Sequence, residues 1–94
     1  MDTAQFGQVT TGDTSRHALS SLTGAPKEGL MVALKAKSTN TGVITLLTTD
    51  SGDANAGWEL TAGEGIGLDV INSGKIWVLQ SVGADRLCWA VVKG

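Results

Sequence analysis

The sequence predicts an all-β fold: a small β-sandwich or jelly-roll-like barrel of seven to eight short antiparallel strands with an N-terminal arm. Three observations predict it. Thirteen glycines and one proline punctuate the 94 residues at short intervals, the spacing of an antiparallel β domain. Several runs alternate apolar and polar side chains with period two, the mark of a half-buried strand. No window of about 11 residues sustains the period of an amphipathic helix.

Residues 1–29 read as an N-terminal arm and edge strands, and residues 30–94 as the sandwich core of what is one domain overall. Phe6, Val9, Leu19 and Leu22 are isolated anchors among Thr, Ser, Gly and Gln. Residues 4–10 and 15–22 therefore read as edge strands or an arm, with a free tail as the alternative. Ala25-Pro26-Lys27-Glu28-Gly29 is a loop, because Pro cannot donate to a ladder. Leu30, Val32, Leu34 and Ala36 then share one face of a strand, with Met31, Ala33, Lys35 and Lys37 on the other. Ser38-Thr39-Asn40-Thr41-Gly42 ends it, since Asn and Gly tolerate positive φ. Residues 43–49 are expected to return as the second strand of a hairpin.

Residues 50–57 form a polar loop rich in Asp, Gly and Asn. Trp58-Glu59-Leu60 reads as a short strand with Trp58 and Leu60 inward. After a turn at residues 61–65, Ile66, Leu68 and Val70 share the next inward face, and Asn72-Ser73-Gly74 turns again. Residues 75–81 carry Ile76 and Val78 on one face and Trp77 and Leu79 on the other. A strand apolar on both faces is central or covered. Residues 82–85 turn into the last strand, 86–92, which is also apolar on both sides.

Composition narrows the function classes. Seven basic against nine acidic residues, a net charge of −2, give no basic stripe for nucleic acid. Charged residues make up 17%, below the usual share of about 25%, which favours a surface covered by neighbouring subunits. No Lys or Arg lies between Ser38 and Gly74, where Asp50, Asp53, Glu59, Glu64 and Asp69 all fall. The one cysteine, Cys88, excludes an internal disulfide and reads as a small buried hydrophobe. The start lacks the basic and apolar regions of a signal peptide, and no apolar run approaches a membrane span of about 20 residues. A soluble protein made in a cytoplasm, with no membrane partner, is expected.

No catalytic, cofactor-binding or metal-ligating constellation is expected. His17 and Cys88 are far apart in sequence and lack an orienting third group. Asp50, Asp53 and Asn55 do not have the spacing of a calcium loop and read as turn formers. Gly63-Glu64-Gly65-Ile66-Gly67 lacks the third glycine and following helix of a dinucleotide fingerprint. Among the tryptophans, Trp89 and Trp58 read as core, and Trp77 is open between core and contact surface.

The ordered set Leu34-Lys35-Ala36, Asn40-Thr41-Gly42, Gly57-Trp58-Glu59-Leu60, Ala62-Gly63-Glu64, Leu68-Asp69-Val70 and Lys75-Ile76-Trp77-Val78 resembles small virion proteins of tailed bacteriophages, of the capsid decoration (cement) or β-sandwich head-protein type. The resemblance spans roughly residues 30–92. It implies a non-enzymatic, oligomeric particle component: a decoration protein on the capsid exterior, a homo-trimer or dimer, bridging subunits of the major capsid protein. The alternative is a tail or fibre module that binds a host glycan through an exposed tryptophan and the loop 50–57. The expected contacts are Phe6 and Val9 on the arm, Met31, Lys35 and Lys37 on one strand face, and Trp77. An arm of this kind implies that residues 1–11 can be removed without unfolding the domain.

Overall fold

Eight strands follow one another along the chain in a computed structural model that describes residues 3–26, 31–49, 56–68 and 75–93. They are β1 (Thr3–Val9), β2 (His17–Ala18), β3 (Met31–Ala36), β4 (Ile44–Leu47), β5 (Trp58–Leu60), β6 (Gly65–Leu68), β7 (Trp77–Gln80) and β8 (Leu87–Lys93). A 3-10 turn spans Leu19–Ser21. Leu30, the acidic loop with Asp50, Asp53 and Asn55, the strand end Asp69-Val70 and the turn Asn72-Ser73-Gly74 lie outside the described residues.

The strands form two four-stranded antiparallel sheets, ordered β1-β8-β3-β6 and β2-β7-β4-β5. The pairs nest: β1 with β8, β2 with β7, β3 with β6, β4 with β5. The chain is thus one long hairpin whose successive rungs go alternately to the two sheets. Pairing of β3 with β8 and of β4 with β7 joins the rungs within each sheet. That order is a jelly roll.

Period-two alternation delivers the core. Val32, Leu34 and Ala36 of β3, Leu87, Trp89 and Val91 of β8, and Val9 of β1 point inward from the first sheet. Ile44, Leu46, Leu60 and Val78 meet them from the second, with Leu19 and Leu22 closing one side. Each fully buried Leu or Val contributes about 1.5–3 kcal/mol by leaving water. Both doubly apolar strands are central, β7 between β2 and β4 and β8 between β1 and β3.

Four expectations change or narrow. Residues 31–36 and 44–47 do not form a hairpin, because β3 and β4 belong to different sheets. Both edges of β3 are already taken, by β8 and β6. The Asn40 turn is instead a crossover: Asn40 Nδ2 donates to Arg86 O (2.8 Å) and its Oδ1 accepts from Arg86 N (2.9 Å). Secondly, of the two readings of residues 4–10, edge strand or arm, the structure gives the edge strand. β1 pairs with β8 along its whole length, from Thr3↔Lys93 to Val9↔Leu87. Thirdly, Val9 is 1% exposed and sits in the core, so it is removed from the set of surface contacts. Lastly, Trp58 is 60% exposed. It lies on the short edge strand β5, where no outer neighbour covers it among the described residues.

Gly7 shows how tightly β1 is fitted. It faces Trp89 across the ladder, and a Cβ there would lie 2.6 Å from the indole ring. The ring cannot swing away freely, since its Nε1 donates to Gly24 O at 2.9 Å. Gly63, at φ 84°, serves a different need, the left-handed corner of the β5–β6 turn.

Two outcomes are expected. Gly7→Ala lowers unfolding free energy by about 1–3 kcal/mol, an overpacking cost, measured by urea titration. Removing residues 1–11 strips β8 of one of its two partners and Val9 from the core, so the truncated chain loses the near-ultraviolet circular dichroism of its buried tryptophan.

Candidate functional site

The outer face of the β1-β8-β3-β6 sheet is the surface on which the predicted contact residues gather. Ladder register sets two rows across it. Phe6, Ala90, Ala33 and Gly67 stand side by side in one, and Gln8, Cys88, Lys35 and Gly65 in the other. Side-chain size falls from Phe6 at one edge to bare glycine at the opposite edge. Phe6 is 79% exposed. Below it runs a shallow groove of about 420 Å³ lined by Phe6, Gln8, Ala33, Lys35, Cys88 and Ala90. Lys37 reaches the same surface, with Nζ 3.4 Å from Gln8 Oε1. Lys35 and Lys37 bring positive charge to this face, and the exposed Arg86 follows Cys88 and Ala90 in the outward alternation of β8.

Of the expected contacts, Phe6, Lys35 and Lys37 are therefore brought together. Met31 pairs by its backbone with Val92, and its side chain lies outside the description. Trp77 is half-buried in the other sheet, beside Ala18 and Leu47, and does not share the face. Sequence reasoning missed Cys88, which it read as a small buried hydrophobe, and Ala90, which it did not single out. The signal was present: Leu87, Trp89 and Val91 are large and Cys88 and Ala90 small, so the strand has a bulky inner face and a slim outer one. Cys88 is half-buried, with a free thiol.

The end of the sandwich beside this face is built from polar groups. Gln80 is wholly buried; its Oε1 accepts from Thr11 N at 3.0 Å and its Nε2 donates to Asp85 O at 2.7 Å. The buried Asp85 carboxylate accepts from Thr41 N (3.0 Å) and Gly42 N (2.8 Å). The Thr10 hydroxyl donates to Asp85 O at 2.7 Å. These bonds tie together the β1–β2, β3–β4 and β7–β8 connections.

His17 lies in the opposite sheet from Cys88, so the structure does not join them as a nucleophilic pair. His17 Nε2 is instead 2.8 Å from Asp13 Oδ1. That bond, with a second from Ser15 N, holds the exposed Asp13 carboxyl below its ordinary pKa. The Glu64 carboxyl is likewise held low by the Thr61 hydroxyl and amide. Among the described residues, no three His, Cys, Asp or Glu side chains gather where they could hold a metal ion. No described helix is long and apolar enough to cross a membrane.

Replacing His17 by Ala is expected to move the Asp13 titration, followed by NMR, upward toward the ordinary carboxylate value. The sign follows from linkage: a depressed carboxyl favours the fold above its unfolded pKa, and that contribution fades as pH falls through the folded value. Wild type therefore gains more stability than His17→Ala on rising out of the acid range.

No protein-family model, no curated protein and no solved structure matches this chain.

Proposed function

We propose that this chain is a structural protein of a bacteriophage virion, a capsid decoration protein that seats the outer face of its β1-β8-β3-β6 sheet on the capsid exterior. The observation that carries the reading is that face itself: one exposed aromatic, a floor of Ala, Cys and Gly, and the two lysines Lys35 and Lys37. A floor without large side chains lets another protein's surface approach the sheet closely, and Phe6 supplies an aromatic anchor of the kind that dominates binding energy. Lys35 and Lys37 select an acidic patch on the partner, the major capsid protein in this reading. The resemblance in residues 30–92 points the same way, and jelly rolls serve in viral capsid domains and in lectins alike. Fold alone does not choose between these uses.

The mechanism is linkage. A protein that binds the assembled lattice and not its free subunits stabilises the lattice by RT ln(1 + [L]/Kd) per site, about 2.7 kcal/mol at a hundredfold excess over Kd. Copies joined as a dimer or trimer bind several sites at once and gain effective affinity without new contacts. No cofactor, catalytic step, nucleic acid or membrane enters this mechanism. The protein would be made in the host cytoplasm and reside on the finished particle.

A second reading, a tail or fibre module for a host glycan, rests on Trp58 in place of Trp77. Its 60% exposure gives the open indole that a sugar platform needs.

The test mixes the purified protein with empty capsids of the parent phage and images the particles. Regular extra density over the capsid exterior is expected, and reversing Lys35 and Lys37 to Glu weakens binding by about tenfold, or 1.4 kcal/mol. Density confined to the tail, with a Trp58 fluorescence shift on adding host polysaccharide, transfers the protein to the second reading. No density at all overturns both.

A further inference from the structure

The four sheet edges are unequal. β2 has two residues, β5 has three and carries Glu59, and β6 has four, two of them glycine. Short strands and charges are the usual means by which an edge is kept from pairing with another chain. β1 has neither protection. It runs seven residues, Thr-Ala-Gln-Phe-Gly-Gln-Val, with no charge and no proline. β8 occupies one side of it, and among the described residues no strand occupies the other.

We propose that β1 pairs antiparallel with β1 of a second copy, so that two β1-β8-β3-β6 sheets join edge to edge across a two-fold axis. Two features favour a second copy over an unrelated strand. Phe6 is the middle residue of the seven, so the full-length symmetric register places Phe6 against Phe6, Ala4 against Gln8 and Thr3 against Val9. The chain carries a net charge of −2, yet this edge opposes no like charges when it meets itself, the arrangement that most often penalises strand pairing. Seven paired residues form about six to eight main-chain hydrogen bonds. The two exposed Phe6 rings, each 79% accessible in the single chain, meet edge to edge and leave their faces open on the joined outer surface. An edge contact of this length buries less than the roughly 800 Å² per partner of a standard interface, so the dimer dissociates on dilution.

The inference names the contact between copies that the shell-docking reading calls for. It is measured without capsids, so its failure and the failure of that reading are distinguishable.

Sedimentation equilibrium over a concentration series tests it. The wild type is expected to move from 9.6 kDa to twice that mass as concentration rises. Phe6→Lys and Phe6→Glu each place like charges opposite each other and are expected to remain at monomer mass. Their equimolar mixture is expected to regain the dimer. Phe6 is largely exposed, so neither change opens the core, and unchanged near-ultraviolet circular dichroism verifies the fold. Ala33→Arg, two strands away from β1 on the exposed face, is expected to leave the dimer intact. A wild type that stays at monomer mass throughout overturns the proposal. So does a dimer that survives Phe6→Lys, or a mixture of the charged variants that stays monomeric. Dissociation by Ala33→Arg overturns it too, by assigning the contact to the sheet face.

Discussion

The buried hydrogen bonds of Gln80 and Asp85 are the constraint on which the sandwich rests. In a rolled-up hairpin the chain must pass from one sheet to the other after almost every strand, and each passage carries backbone amides and carbonyls that no ladder satisfies. Gln80 and the Asp85 carboxylate satisfy them for three passages at one end. Leaving a single such group unpaired in the interior costs about 1–3 kcal/mol, a sizeable part of a small domain's stability. The same bonds fix where β8 begins. A slip of one residue there would exchange Trp89 for Cys88 and Ala90, replacing the slim outer surface with a bulky one and emptying the core. The slim outer face thus depends on polar contacts that it does not itself contain.

Much of the architecture was legible in the residues, for a reason that also explains what was not. Alternation reports on burial, and burial is what places Val32, Leu34, Ala36 and Val78 inward; β7 and β8, apolar on both sides, had to be central or covered, and they are central. Turn chemistry reports a change of direction without a destination. Asn40-Thr41-Gly42 has the composition of a hairpin turn, and the chain does turn there, but it turns toward the other sheet because Asp85 and Arg86 capture its amides and its side chain. Those captors lie more than forty residues downstream, beyond the reach of any local pattern.

The candidate face was half legible on the same terms. Lys35 and Lys37 declared themselves by alternation along β3. Phe6 was found as an isolated apolar residue, but its neighbour Val9 carried the same local signature and the opposite fate. The two positions are three apart, an odd separation that period two sends to opposite faces. Reading the segment as an arm hid that difference, since an arm has no inside. Trp58 misled in the reverse sense: its place in the alternation is inward, but at an unflanked edge strand an inward position does not secure cover.

The nesting of strand pairs also shapes how the molecule can be assembled in time. β4 and β5 are separated only by residues 48–57, so their contact closes the smallest loop and bears the least entropy loss. Once they are joined, β3 and β6 are already near one another, then β2 and β7, and finally β1 and β8. Each step inherits the closure achieved by the one before it. A fold dominated by long-range contacts, normally slow to form, can in this way be zipped from its innermost rung outward, with the strand bearing Phe6 the last to dock.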